Sequence, residues 1–457
     1  MKKNVVKRLL AVTMVAAMAV SSLAGCSNKS DSDKETTTKT NEANDNKGAA
    51  DDSQSGEVVT LKIVDWESEA MNTAMQDAFD NVFSVEHPNI KVEIMPAPVG
   101  DYGLNINGMI TAGEAPDIFQ AGHDMALSLS AKGMLTDWST YADADTEFTS
   151  GFYEGTYDLW KNDGKTIGFP SLINTYGIFY NKDILAAAGL EEPKTGWTYD
   201  DLFTYANTLK KPEEGKYGLY NFDTSCFNVS LIGVSNGGTP FVDNISNPTK
   251  VTVDDQFKAA AQKVTDAIAA GAIPGTTYDG SNSQSLFESG EIGMLYFGQW
   301  ELDNLIRNVP DLNWGYVANP VGTTGEQAAI FDAVGWCSPK GVEHEKEVWE
   351  LMKFMSSYVY ETVLPVTPVA SCAYEEPSQV YFDVLTEKGH AEASEAVKTM
   401  MSAKKRVAVR FLTTWAGDAG KVWNEDYSEI LDGKNGKTVD MLPEMAERIN
   451  QVIADNQ

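Results

Sequence analysis

Leu61-Lys62-Ile63-Val64, then Met71, Met75, Phe79 and Phe83 at every fourth position, then Ile90-Lys91-Val92-Glu93-Ile94, form the stretch that decides the fold. The first run is short and extended in character. The second set, with Ala70, Ala74, Ala78 and Val82 beside it, makes one apolar stripe of a helix. That helix should stop before His87-Pro88, because the residue ahead of a proline is disfavoured in helical geometry. Residues 90–94 alternate as a half-buried strand does. A further helix before Gly113 and a short strand at Asp117-Ile118-Phe119 continue the alternation, which predicts an α/β sheet with helices on its faces.

The C-terminal half is richer in helix. Phe257, Ala261, Val264 and Ile268 recur at helical spacing behind the capping residues Asp254 and Asp255, and Trp349, Met352, Phe354 and Met355 mark another buried face. Helical patterns also run through residues 391–404, 416–431 and 439–454. No internal repeat or coiled-coil heptad is present.

Ahead of all this, Lys2, Lys3, Lys7 and Arg8 precede an apolar run from Leu9 to Val20, and Leu23-Ala24-Gly25-Cys26 follows. A basic tip, a short apolar stretch and small residues are the layout of a secretory signal, and the run is short for a membrane span. Cysteine directly after Leu-Ala-Gly resembles the bacterial lipobox, which implies a signal over residues 1–25, cleavage before Cys26 and a lipid on its thiol. Between Ser27 and Gly56 the only apolar residues are Ala43, Ala49 and Ala50. Such a segment buries too little apolar surface to order itself. Residues 26–56 are therefore expected to be a disordered tether, holding the folded part roughly 30 Å from the lipid.

About four hundred residues remain, enough for two domains. The net charge is −31, and removing the four basic residues of the signal leaves 31 basic against 66 acidic, or −35. Such a surface repels nucleic acid and anionic membranes and disfavours a polyanionic ligand. With Cys26 lipidated, Cys226, Cys337 and Cys372 permit at most one intrachain disulfide and offer no zinc spacing.

Motifs that would signal catalysis fail on context. Gly233-Val234-Ser235-Asn236-Gly237 fits GxSxG, and Asn228–Ile232 passes as the strand before it. A nucleophile elbow also needs a helix after the serine, where this chain has Asn236-Gly237-Gly238-Thr239-Pro240. The Gly-Lys-Thr triplets at Gly164 and Gly436 have leucine five positions earlier, so neither is a phosphate loop. His87, His123, His344 and His390 show no paired metal spacing, and Leu364-Pro365-Val366-Thr367 departs from a sortase signal at Pro368. A glycoside hydrolase remains the enzyme alternative, since carboxylates and tryptophans abound, but no local pattern nominates a catalytic pair.

Several blocks together resemble one family. Gly113-Glu114-Ala115-Pro116-Asp117-Ile118-Phe119, Gly164-Lys165-Thr166-Ile167-Gly168-Phe169-Pro170, and Tyr180-Asn181-Lys182-Asp183 with Ala188-Gly189-Leu190, Pro193 and Gly196-Trp197-Thr198 are similar to the extracellular solute-binding proteins of carbohydrate ABC importers, the group that includes maltose-binding protein. Asn236-Gly237-Gly238, Phe287–Met294 and Gly298-Gln299-Trp300 follow in the family's order. The resemblance implies two α/β lobes of the periplasmic-binding-protein type, joined by a hinge of three crossovers near 170–172, 328–334 and 363–368. The first lobe would comprise residues 57–170 and 331–364, the second 171–330 and 365–457, with the ligand in the cleft between them. It further implies a monomeric, lipid-anchored protein on the outer face of the cell membrane. That protein would deliver a sugar, an oligosaccharide, to the permease subunits, with no cofactor or metal and no catalytic residues.

Sugars present hydroxyls that pair with carboxylates and amides, and CH faces that lie on aromatic rings. Within the resemblance, Asp124 falls where similar binders carry a sugar-contacting carboxylate. Asn174 stands where maltose binders have glutamate, which departs from maltose-type selectivity. Trp300 matches the stacking aromatic, Trp415 lies near a C-terminal one, and Tyr176 is close to Asn174. Trp66, at the end of the first strand, and Trp336, just after the second crossover, are expected at the cleft rim. Tryptophan ordinarily packs, and Trp138, Trp160, Trp314, Trp349 and Trp423 are read that way. Arg410 is read as a salt-bridge former.

Overall fold

The computed structural model describes residues 58–97, 100–222, 225–411, 415–431 and 434–456. The signal, Cys26 and the tether lie outside them. Thirteen strands occur among the described residues: β1 (Val59–Val64), β2 (Ile90–Met95), β3 (Ile118–Gly122), β4 (Lys161–Asn162), β5 (Lys165–Thr166), β6 (Phe169–Asn174), β7 (Tyr176–Asn181), β8 (Met294–Gly298), β9 (Trp314–Val317), β10 (Ala328–Ile330), β11 (Asp332–Cys337), β12 (Ser371–Cys372) and β13 (Lys405–Val407).

The opening stretch folds as its pattern predicts. Leu61 and Ile63 are fully buried in β1 while Lys62 faces outward. Ser68 caps the helix Glu69–Ala78 by accepting from the Met71 amide at 3.3 Å. A π-helical turn, Phe79–Phe83, prolongs this helix to Glu86, and β2 then pairs parallel with β1. The helix Tyr102–Ala112 ends at Gly113, whose φ of 74° is the left-handed cap that glycine adopts without strain.

Two sheets organise the chain. The larger has the order β12-β6-β11-β3-β1-β2, with β1 parallel to β2 and β3, and β11 antiparallel to both β3 and β6. The smaller has the order β8-β7-β9, antiparallel throughout. A parallel ribbon of β10 and β13 and a hairpin of β4 and β5 complete the set. The helices Cys226–Ser235, Asp255–Ala269, Ala416–Leu431 and Leu442–Asp455 build a second core with the smaller sheet.

Successive elements switch sheets at single residues. Thr175 alone separates β6 in the larger sheet from β7 in the smaller, and Phe331 alone separates β10 from β11. The third switch lies later than expected. Instead of leaving the larger sheet near residue 365, the chain pairs Ser371 and Cys372 with Ile173 and Leu172 of β6. The helix Glu375–Glu387 follows this strand.

All five tryptophans read as packing residues are buried. Cys226, Cys337 and Cys372 are buried and form no disulfide with one another. No described helix is long and apolar enough to cross a membrane.

Candidate functional site

Strand direction brings one end of each sheet together. In the larger sheet β1 and β3 end at Val64 and Gly122, and antiparallel β11 starts at Asp332 opposite Asn174, the last residue of β6. Asp65-Trp66-Glu67, His123-Asp124, Asp332 and Asn174 therefore share one edge, the carboxyl end of the parallel strands, where open α/β sheets bind ligands. In the smaller sheet β7 starts at Tyr176, opposite Gly298 at the end of β8, with Gln299 and Trp300 next. Thr175 joins the two edges, so they meet at that crossover.

On the larger sheet, Trp66 is 41% exposed and meets the Tyr102 ring edge-on at 5.0 Å. Its amide donates to Gln120 Oε1 at 3.3 Å, and Gln120 Nε2 donates to Glu67 Oε1 at 2.6 Å. Burial pushes the Glu67 carboxyl up to about 7, and the neighbouring charges of Asp65 and Asp303 add to this against the Gln120 hydrogen bond. Asp65, fully buried, is also raised by desolvation, while the Glu67 amide donates to its Oδ1 at 3.0 Å.

Asp124, in the first turn of the helix His123–Ala131, is exposed, and its Oδ2 lies 3.6 Å from Arg410 Nε. Arg410 Nη2 lies 3.5 Å from Asp332 Oδ2, which Asn174 Nδ2 also reaches at 3.5 Å. Asp332 is almost fully buried, and desolvation raises its carboxyl while Arg410 pulls it back. Arg410 follows β13, whose Val407 pairs with Ile330 just before β11. His123 is buried under this cluster, and desolvation lowers its imidazole to about 4, so it is neutral at pH 7.

On the smaller sheet Trp300 is half-buried and packs edge-on against Tyr176 at 5.3 Å and Phe297 at 5.4 Å. Tyr176, also half-buried, stacks toward Tyr296 at 6.1 Å. The edge thus offers two partly open indole rings, carboxylates, an amide and a guanidinium. That inventory suits a ligand with many hydroxyls and flat apolar faces.

Five of the seven predicted ligand residues gather here, namely Trp66, Asp124, Asn174, Tyr176 and Trp300. Two do not. Trp336 is fully buried within β11, between β3 and β6, and donates from Nε1 to the Met355 carbonyl at 3.2 Å, so it belongs to the core under the helix Glu345–Met355 rather than the rim. Trp415 is 5% exposed, packs on Phe411 at 5.2 Å and joins the second core. Sequence reasoning missed Glu67, Gln120 and Asp332. Gln120 lies inside β3, Asp332 begins β11 and Glu67 follows β1 by three residues, and burial of a polar residue at such places itself marks it as having a task.

The GxSxG segment is no elbow. Asn228–Ile232 is helix, not strand, and buried Ser235 donates to the Leu231 carbonyl at 2.9 Å and accepts from the Ala328 amide at 3.1 Å. A pocket of about 420 Å³ lined by Lys182, Trp314 and His390 lies at the opposite end of β7, where Asn181 pairs with Trp314.

A family model described as bacterial extracellular solute-binding protein matches residues 66–360. A binding protein of Brucella abortus is 23% identical over 291 residues, 60% of this chain and 66% of its own length, so the chain spans just under two thirds of that relative. The maltodextrin-binding protein of Bacillus subtilis is 24% identical over 338 residues, 71% of this chain and 74% of its own. Among solved structures, an ABC substrate-binding protein of Listeria monocytogenes in complex with cycloalternan superposes with a TM-score of 0.70 at 21% identity, covering 88% of this chain and 99% of that one.

Proposed function

The chain belongs to the family of bacterial extracellular solute-binding proteins, and from that premise we propose that it captures an oligosaccharide between two lobes and delivers it to the permease of an ABC importer. The observation that carries the reading is the convergence of two sheet edges across Thr175, with Trp66 on one and Trp300 on the other and carboxylates and an amide between. Relatives that bind maltodextrin and cycloalternan support a carbohydrate ligand. In this reading Trp300 and Trp66 stack on sugar rings, Asp124 and Asn174 take hydroxyls, and Tyr176 closes the side. Asn174 supplies a donor as well as an acceptor, so its pattern of hydroxyls differs from that of a carboxylate at the same place. The first lobe runs to Asn174 and resumes from Phe331 through Cys372. The protein acts as a monomer, a binder rather than a hydrolase, held to the outer membrane face by a lipid on Cys26.

Thermal unfolding against a panel of oligosaccharides tests the ligand class. A cognate sugar at a hundred times its dissociation constant adds about 2.7 kcal/mol of stability, and no reducing sugar is released. A panel without a saturable shift removes the carbohydrate reading, and sugar release restores the hydrolase. Labelled fatty acid is expected to enter the wild-type chain in cells and not the Cys26→Ala variant.

A further inference from the structure

We propose that Gln299 is a positioning residue that locks the Trp300 ring to the β6–β7 crossover, making Asn174, Tyr176 and Trp300 one rigid subsite. The proposal deepens the reading of this edge as the ligand site, on which its consequence for binding rests, while its geometry stands without a ligand.

Gln299 is fully buried although it follows the last residue of a strand. Its Nε2 donates to the Ile173 carbonyl at 2.7 Å, its Oε1 accepts from the Thr175 hydroxyl, and its amide donates to the Thr175 carbonyl at 2.9 Å. Ile173 belongs to the larger sheet, where it pairs with Ala333 and Ser371. One side chain at the end of the smaller sheet therefore grips the crossover on both sides of Asn174. A carbonyl only accepts, so the NH2 must face Ile173, which leaves the oxygen for Thr175. A side-chain amide carries its donor and its acceptor on separate atoms, so one head group reaches both partners at once.

The next residue is Trp300, and its position is equally constrained. The indole folds back over Gly298, where a Cβ would come within 1.9 Å of the ring. Between a glycine that admits the ring and a glutamine tied at three points, the indole has little freedom to turn. Moving the crossover relative to Trp300 leaves the buried amide unsatisfied, which is costly.

The test needs no ligand. The purified chain, labelled with 5-fluorotryptophan, gives a 19F line for Trp300 that is identified by its loss in Trp300→Phe. Gln299→Met is expected to displace or split that line by more than its width and to leave those of Trp138, Trp160 and Trp336 in place. Gln299→Glu is expected to displace it at pH 8 and to restore it at pH 5, where a protonated carboxyl again donates to the Ile173 carbonyl. A Trp300 line that stays put in Gln299→Met overturns the proposal, as does a displacement in Gln299→Glu that persists unchanged at pH 5. Should Gln299→Met move every line, as loss of fold would, Thr175→Val decides. A shift confined to Trp300 then supports the proposal, and its absence overturns it. Either result is independent of which solute the protein binds.

Discussion

Removing the Arg410 guanidinium tests whether the segment after β13 is tied electrostatically to the edge of the larger sheet. Arg410 Nη2 lies 3.5 Å from Asp332 Oδ2, and the side chains are 43% and 3% exposed. At that distance a pair of unit charges is worth about 1 kcal/mol in bulk water and about 5 kcal/mol at the effective dielectric of a protein interior. One partner is nearly half in solvent, so the coupling falls toward the lower figure, about 2 kcal/mol. The pH dependence gives an independent check. Burial already raises the Asp332 carboxyl, and Arg410 holds it down. Without Arg410 the folded state keeps a proton that the unfolded state has released above pH of about 4. Stability of Arg410→Ala is therefore lost as pH rises through the raised value. Urea unfolding of wild type, Arg410→Ala, Asp332→Asn and the double variant is expected to give a coupling near 2 kcal/mol at pH 8. The cost of Arg410→Ala should be smaller at pH 5. A coupling under about 0.5 kcal/mol with no difference between the two pH values would refute the argument.

Trp300→Ala should weaken sugar binding by about 2 kcal/mol, roughly thirtyfold, with the fold intact, whereas Trp336→Ala should cost about 3 to 5 kcal/mol of stability because it empties a fully buried site. Calorimetric titration and urea unfolding of both variants separate the cases, and reversed outcomes would exchange the two assignments. Glu67, held near 7 by burial, keeps a proton in the folded chain that the unfolded chain releases near 4.5, so its contribution falls as pH rises from about 4.5 to 7. Glu67→Gln should remove up to roughly 1 kcal/mol per pH unit of that downward slope. His123, lowered to about 4, acts in the opposite sense in the window from 6.5 down to 4 and remains in both proteins, so their difference isolates Glu67. Equal slopes in both would mean that the carboxyl is ionised throughout.

The opening strand, helix and strand were legible because short-range periodicity encodes them, and so were the helices Asp255–Ala269 and Ala416–Leu431. Trp300, which follows β8 and is itself the N-cap of the helix Glu301–Asn308, was singled out by the resemblance, while Trp349 was marked as buried by periodicity. Periodicity failed where burial depends on sheet order. Trp336 looks exposed from its place after a crossover, yet β11 runs between two other strands. Membership of Ser371 and Cys372 in the larger sheet is a pairing across about two hundred residues that no local pattern reports. The Asp124–Arg410–Asp332 cluster is likewise assembled from three distant segments. Gln299 was visible only as the middle of a motif, because its partners Ile173 and Thr175 lie more than a hundred residues away.

The central claim is that ligand bridges two lobes, and small-angle scattering tests it most directly. A ligand that touches both edges binds the closed arrangement better and shifts the population towards it. With the sugar identified by thermal shift present at saturation, the radius of gyration is expected to fall relative to the unliganded chain, and to fall less at the same sugar concentration in Trp300→Ala. Saturable binding at an unchanged radius of gyration would contradict the account.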